Sequence, residues 1–238
     1  MKGLPAPSLR RFLLIVASVF LYPASALAQL DESQVGAWYA LVWNTGFDDS
    51  RWGLQGDVQH RNFDLAGDLQ QVLLRAGLTY AAPGIPGTLT LGIASVNTGE
   101  FGPGSDKTRE NRIYQQWSLP GRQLGRWRIG QRFRFEQRWF QGQDLRTRLR
   151  YSLSASLPLN NSELRPGTYY LSLANELFLN GERDIGGGRR VDYYDRYRIG
   201  AGLGYSATDG TRLELGYMRQ ITDNVSKGQL MVTIRRRF

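Results

Sequence analysis

The chain of 238 residues contains no cysteine and a single histidine, His60. Without cysteine the protein can form neither a disulfide framework nor a cysteine-ligated metal site, and it cannot be a bacterial lipoprotein. One histidine leaves only sites for hard cations, which prefer oxygen ligands. We therefore predict that the protein holds no metal and no cofactor.

Long hydrophobic runs are also missing. The longest, residues 12–22, is shorter than the roughly 20 apolar residues that a transmembrane helix needs. It follows a basic leading region and precedes small residues at Ala26 and Ala28, which is typical of a secretory signal peptide. We predict that residues 1–28 are removed after Ala28 and that residues 29–238 form one domain. A retained membrane anchor is the alternative.

Acidic residues are fewer than basic ones, 21 against 30, so that the formal net charge is +9. Three of the basic residues, Lys2, Arg10 and Arg11, belong to the predicted signal peptide, and their removal lowers the net charge from +9 to +6. A basic chain is compatible with nucleic-acid binding. Since the chain is predicted to be exported and none of the usual nucleic-acid-binding motifs is found, we predict no nucleic-acid partner.

Two-residue alternation dominates the rest of the sequence. Apolar side chains alternate with Arg, Glu or Gly, so each segment has one apolar and one polar face if it is a strand. Several segments have ten or more residues, the length that a tilted membrane strand needs. The predicted strands are residues 36–46, 51–62, 69–81, 87–97, 109–119, 125–139, 146–158, 168–179, 192–206, 210–221 and 228–238.

These strands predict an all-β fold, a membrane-spanning antiparallel up-and-down β-barrel of ten to twelve strands. Although eleven segments are counted, bacterial single-chain barrels have an even number of strands, so twelve is the preferred number. A soluble β-sandwich or lipocalin-like barrel is the alternative. Aromatic residues near the strand ends favour the membrane barrel, because interfacial girdles form there.

The last strand resembles the assembly signal of outer-membrane barrels, an alternating apolar face that ends in a terminal aromatic residue. This feature predicts an outer-membrane location in a Gram-negative bacterium, with outer-membrane lipid, lipopolysaccharide and the barrel-assembly machinery as partners. Arg236 is a departure, since it falls on the outward face. The residues of the predicted signal are Leu230, Val232, Ile234 and Phe238.

Connection lengths support an orientation. If Phe238 lies on the periplasmic side, the tight turn at 207–210 is periplasmic as well. The longer connections at 98–108 and 180–191 then lie outside. Short periplasmic turns and long outer loops are the usual barrel pattern.

Charged residues on the polar faces predict a lumenal charge network. Arg on the lipid face costs about 2–4 kcal/mol at mid-depth, so these residues are expected to point inward. The network is either a plug of mutually neutralising charges or an anion-favouring, porin-like passage; we prefer the plug because narrow barrels are filled by their own side chains. The predicted network comprises Arg128, Arg132, Arg134, Glu136, Arg138, Arg146, Arg148, Arg150, Glu176, Arg196, Arg198, Arg212 and Glu214.

An enzyme acting on lipid or lipopolysaccharide is the second hypothesis. Serine-type hydrolysis needs a histidine base, and His60, near the outer end of the second strand, is the sole candidate. The sequence identifies no serine partner for it. We therefore predict no catalytic residue and retain His60 as a weak candidate.

Several segments in this order resemble a family of proteobacterial outer-membrane proteins called domain of unknown function 2490. They are a Trp-bearing first strand (36–38), the Arg-x-Arg-x-Glu strand (132–136) with its Arg-rich follower (146–151), an Asn-Glu-x-Phe segment (175–178), and the glycine-alternating strands at 196–205 and 213–217. The resemblance implies a β-barrel architecture and an outer-membrane location. It implies no activity and no catalytic residues.

Overall fold

The computed structural model describes residues 35–101 and 107–238. The predicted signal peptide, residues 1–28, lies outside the described residues. The described chain is all-β. Its strands, in chain order, are β1 (Gly36–Gly46), β2 (Trp52–Asn62), β3 (Leu69–Tyr80), β4 (Thr88–Gly99), β5 (Lys107–Leu124), β6 (Trp127–Phe140), β7 (Arg146–Pro158), β8 (Thr168–Asn180), β9 (Tyr194–Ser206), β10 (Thr211–Ile221) and β11 (Ser226–Arg237).

The strands form a closed barrel in which each strand pairs with its neighbours in sequence. All pairs between consecutive strands are antiparallel, and the barrel closes through a parallel pairing of β1 with β11, from Gly36↔Gln229 to Asn44↔Arg237. An odd number of alternating strands leaves the first and last running in the same direction. Closure must then be parallel, and it removes both free edges.

Two expectations are therefore corrected. The eleven described strands lie within the predicted range of ten to twelve, but the preferred number of twelve is wrong. The barrel is mixed and not fully antiparallel, because β1 and β11 pair in parallel. The eleven segments predicted from alternation correspond one to one with the eleven strands.

The two chain ends of the barrel lie at opposite rims. The rim with Phe238, called the C-terminal rim, includes the turn at 207–210, and Phe238 N donates to Asn44 O at 3.0 Å. The rim with Gly36, called the N-terminal rim, includes the longest connection, 181–193. The nine-residue connection at 159–167 lies at the C-terminal rim, so the contrast in connection length is weaker than predicted.

The connection after β2 folds back against β1. Tyr39 Oη donates to the Leu65 carbonyl at 2.7 Å. The backbone N–H groups of Gly67, Asp68 and Ala66 donate to the Asp64 carboxylate and hold the pKa of that carboxyl below its usual value. These hydrogen bonds hold the connection after β2 against β1 at the N-terminal rim.

The outer face of the barrel is apolar. Alternate residues of each strand point outward, and the exposed large aliphatic side chains there have relative exposures between 36 and 64%. No helix of the described residues is long and apolar enough to cross a membrane. Exposed outward-facing residues include Leu41, Val58, Leu74, Leu78, Leu91, Ile93, Leu149, Leu203, Leu215 and Ile234.

The inner face is polar and contains bulky residues packed against glycine. A Cβ at Gly92 would lie 2.3 Å from Tyr114 Cζ, and one at Gly204 would lie 2.1 Å from Tyr170 Cζ. Only glycine leaves room for these two rings on the neighbouring strand. The interior is thus shaped by ring–glycine pairs and by buried charged groups.

Candidate functional site

Within the described ranges, six carboxylates point into the barrel, and each contacts at least one arginine. Every second residue of a strand faces inward, so the alternating Arg and Glu positions of the sequence meet on the inner wall. These acidic residues come from six different strands, and most of them lie within ion-pair distance of an arginine on a neighbouring strand. The six are Asp57, Glu110, Glu136, Glu176, Asp195 and Glu214.

Glu136 is the centre of this network and has no solvent exposure. Arg148 donates to its Oε2 through Nε at 2.9 Å and Nη2 at 2.6 Å. Arg150 Nη1 donates to Oε1 at 2.7 Å. Arg112 and Arg134 lie at 3.9 and 3.7 Å from the same oxygen. The single carboxylate of Glu136 therefore lies within ion-pair distance of four guanidinium groups.

Other carboxylates are shared as well. Glu110 accepts two hydrogen bonds from Arg112, at 2.6 and 2.7 Å, and one from Arg138 at 2.5 Å. Glu176 accepts from Arg132 at 2.6 Å and from Arg150 at 2.7 Å. Because acidic groups are shared between arginines, the network is not neutralised.

Four inward-facing arginines hydrogen-bond to glutamine carbonyls, and none of them hydrogen-bonds a carboxylate among the described residues. A glutamine oxygen accepts hydrogen bonds but carries no charge, so it orients a guanidinium without compensating it. The closest carboxylate contacts of two of these arginines are Arg134 to Glu136 at 3.7 Å and Arg198 to Glu176 at 4.0 Å. The four pairs are Arg61 with Gln59 and Gln71, Arg134 with Gln116, Arg146 with Gln143, and Arg198 with Gln220.

Arginines and aromatic rings form a transverse layer, here called the packed layer, that crosses the lumen from β2 to β7. Arg61 Cζ lies 3.8 Å from the Trp38 ring centroid, and Arg198 Cζ lies 4.8 Å from it. Arg198 also lies 4.6 Å from the Phe178 ring, which Arg150 approaches at 4.5 Å. Such contacts stabilise a guanidinium by about 0.5–2 kcal/mol.

The packed layer leaves little room for water. Trp38 is 4% exposed, Arg61 6%, Arg150 6% and Phe178 1%. Side chains that line a wide aqueous channel are solvent-exposed, so this burial shows that the lumen is narrow at the level of the packed layer.

A cavity of about 820 Å³ occupies the interior. Among the described residues, its lining includes eleven arginines and five carboxylates, an excess of six positive charges (eleven minus five). Small side chains form its wall between the packed layer and the C-terminal rim, across β6 to β10. These residues, here called the small-residue wall, are Gly130, Ser152, Ser154, Ser172, Ala174, Gly200, Gly202 and Gly216.

The structure places most of the predicted charge network together. Nine of its residues take part in ion pairs or hydrogen bonds around the central carboxylates: Arg132, Arg134, Glu136, Arg138, Arg148, Arg150, Glu176, Arg196 and Arg198.

The remaining four lie apart from this group. Arg146 bonds to Gln143, and Glu214 bonds to Tyr170 and Arg235. Arg128 is exposed near the C-terminal rim, and Arg212 forms no ion pair with any described residue.

Sequence reasoning missed six members of the network. The alternation Glu110, Arg112, Tyr114, Gln116 on β5 carries the same signal as β6 and could have identified two of them. Asp195 had no such signal, because it is the extra residue of a β-bulge between β8 and β9 that turns it inward. The six are Asp57, Arg61, Arg75, Glu110, Arg112 and Asp195.

His60 lies on the outer face. It pairs with Tyr39 and Val72 on the adjacent strands, its side chain is exposed, and it makes no hydrogen bond with a described residue. The geometry therefore gives His60 no catalytic partner.

The described residues do not contain a group of three or more His, Asp and Glu side chains that could hold a metal ion.

One comparison with known proteins gives a match. A family model described as "Protein of unknown function (DUF2490)" matches residues 35–231, from the start of β1 into β11. No curated protein and no solved structure matches the chain.

Proposed function

Because the chain belongs to the DUF2490 family, whose function is unknown, we propose from its geometry that it is an outer-membrane β-barrel protein whose interior binds small anions. The excess of arginine over carboxylate around the interior cavity carries this proposal. The predicted export signal, the apolar outer face and the packed layer support its separate parts.

The distribution of polarity supports the membrane location. A soluble barrel buries its apolar face and exposes its charges. Here Leu74 and Ile93 are exposed to 55 and 64%, whereas Arg134 and Glu136 are 5 and 0% exposed. Hydrocarbon would cover the outer rows, and the closed sheet leaves no backbone edge to satisfy. The predicted C-terminal assembly signal favours the outer membrane.

Charge inside the barrel supports anion binding. Arginine stays protonated at any physiological pH, and unpaired charges are costly to hold in a low-dielectric interior. With eleven arginines and five carboxylates around one cavity, mobile anions are the available counter-charges. A lumen with an excess of one sign concentrates ions of the opposite sign.

The packed layer restricts the free diffusion of anions along the lumen. Arg61, Trp38, Arg198 and Phe178 contact one another across the lumen, so a wide pore is not expected. We infer that anions reside in the cavity and that their passage, if it occurs, is slow compared with that through a general porin.

Anion binding is tested with the purified protein in lipid nanodiscs by equilibrium dialysis against radiolabelled phosphate. We expect saturable binding that sulfate displaces and that added sodium chloride weakens, since chloride competes for the same guanidinium groups. The double variant Arg61→Gln/Arg198→Gln should bind less, and Arg128→Gln, which removes an exposed charge, should bind normally. Binding no greater than that of empty nanodiscs would overturn the proposal.

Planar-bilayer recording tests the passage separately. We expect anion-selective conductance to be small or absent, in line with the burial of the packed layer. A large steady conductance would contradict the narrow lumen while leaving anion binding intact.

Fractionation of cells on a density gradient, in which the protein should migrate with the outer membrane, tests the location.

A further inference from the structure

Arg132 lies beside the small-residue wall, and only part of the hydrogen-bonding capacity of its guanidinium group is used. Its Nη2 donates to Glu176 at 2.6 Å, and no hydrogen bond of its Nε or Nη1 to a described residue is found. Its side chain is 32% exposed, against 5% for Arg150 and 13% for Arg198, the other arginines at Glu176. Arg132 therefore presents free donors to the cavity.

Two serines flank Arg132 on the neighbouring strands. Ser118 on β5 and Ser152 on β7 are its direct cross-strand partners, and both line the cavity. Ser118 Oγ accepts a hydrogen bond from Gln116 Nε2 at 2.9 Å, which leaves the hydroxyl proton of Ser118 available to donate. Donors from three adjacent strands thus lie side by side in one row of the inner wall.

Open space adjoins this position on the side of the C-terminal rim. The next row of inward residues across the sheet is Gly130, Ser154, Ala174 and Gly200. Ser154 and Ala174 are exposed although they point into the barrel, because no bulky side chain covers them. The space beside Arg132 is therefore walled by small side chains and hydroxyl groups.

We propose that Arg132, Ser118 and Ser152 bind a phosphoryl group and that the small-residue wall accommodates a compact, hydroxylated body attached to it, as in a monosaccharide phosphate. This inference rests on the proposed anion-binding function and names its ligand class. Three donor sources suit the several oxygens of a tetrahedral phosphoryl group better than the two of a carboxylate. The planar fork of an arginine supplies two parallel hydrogen bonds to such a group.

The shape of the cavity is the reason for proposing a ligand with a further group attached to the phosphoryl group. Inorganic phosphate would fill the position at Arg132 but would leave the space beside Ser154 and Ala174 to water. The small-residue wall consists of glycine and serine with one alanine, and it therefore suits a polyhydroxylated molecule better than an apolar tail. The phosphorylated headgroup of a lipid shares the phosphoryl chemistry, and the experiment distinguishes the two sources.

Isothermal titration of the full protein in nanodiscs tests the inference with four probes: inorganic phosphate, glucose 6-phosphate, glucose and a short-chain phosphatidic acid. We expect glucose 6-phosphate to bind at least about tenfold more tightly than inorganic phosphate, and glucose not to bind. Arg132→Gln should weaken glucose 6-phosphate binding by about 10- to 100-fold, the effect of losing hydrogen bonds to a charged group. Arg128→Gln, on the same strand but exposed near the rim, is the matched control.

A second variant tests the space without changing any charge. Ala174→Leu fills the small-residue wall and should abolish the preference for glucose 6-phosphate while inorganic phosphate binds as before. This variant keeps the test decisive if Arg132→Gln does not insert into membranes.

The outcomes separate this inference from the proposed function. Equal affinity for inorganic phosphate and glucose 6-phosphate, tighter binding of phosphatidic acid, or equal effects of Arg132→Gln and Arg128→Gln would overturn the inference and leave anion binding standing. Failure of every anion to bind would overturn both.

Discussion

Neutralising Glu136 is the most informative single change in the barrel. The substitution Glu136→Gln keeps the size and hydrogen-bonding oxygen of the side chain but removes its charge. Four guanidinium groups lie within 4.0 Å of the Glu136 carboxylate, those of Arg112, Arg134, Arg148 and Arg150. The variant would place these four cations around a neutral amide.

The size of the expected loss of stability follows from the burial of Glu136 and its arginine partners. Glu136 is 0% exposed, and its arginine partners are 3 to 7% exposed, so water cannot replace the lost charge. Removing one partner of a buried ion pair costs about 3–5 kcal/mol. Because the amide carbonyl of the variant still accepts a hydrogen bond from Arg148 or Arg150, we expect a loss near the lower limit, about 3 kcal/mol in the free energy of unfolding.

Equilibrium unfolding in urea measures this loss, with the protein in lipid vesicles and the tryptophan fluorescence as the signal. Glu163→Gln is the matched control, since Glu163 lies exposed in the 159–167 connection and should change stability by less than about 0.5 kcal/mol. If Glu136→Gln unfolds at the same urea concentration as Glu163→Gln, Glu136 does not hold the network together and the account of the interior is wrong.

Three further predictions concern packing, the outer face and assembly. Gly204→Ala should destabilise the barrel by about 1–3 kcal/mol because the added methyl group meets Tyr170, and Tyr170→Ala in the same chain should relieve part of that loss in urea unfolding. Leu74→Arg should cost about 2–4 kcal/mol in lipid vesicles, whereas Leu65→Arg, equally exposed at 55% but in a connection, should cost little; equal costs would contradict a lipid-facing β3. Deleting Phe238 should lower the amount of protein in the outer-membrane fraction, and unchanged amounts would argue against its role in assembly.

The strand pattern was predictable because alternation is a local property. Each strand carries its own apolar and polar face, and all eleven could be located from the sequence. How the barrel closes is a global property. Nothing within β1 or β11 reveals that they pair in parallel, and the general preference for even strand numbers led to the wrong number.

Charge positions were predictable where the alternation is unbroken. Arg132, Arg134, Glu136 and Arg138 follow one another at every second position of β6 and all point inward. Asp195 was unpredictable because a bulge changes its direction. Partnerships across the lumen depend on how the sheet curves, so the contacts of Trp38 with arginines from β2 and β9 could not be derived from strand patterns.

Crystals of the protein soaked in bromide provide the most direct test of the central claim, that surplus positive charge inside the barrel is balanced by bound anions. Anomalous difference maps identify bromide by its own anomalous scattering, which distinguishes it from water. We predict interior peaks beside the guanidinium groups of Arg61, Arg132 or Arg198. Bromide found on the outer surface and the rims with none inside the barrel would contradict the account.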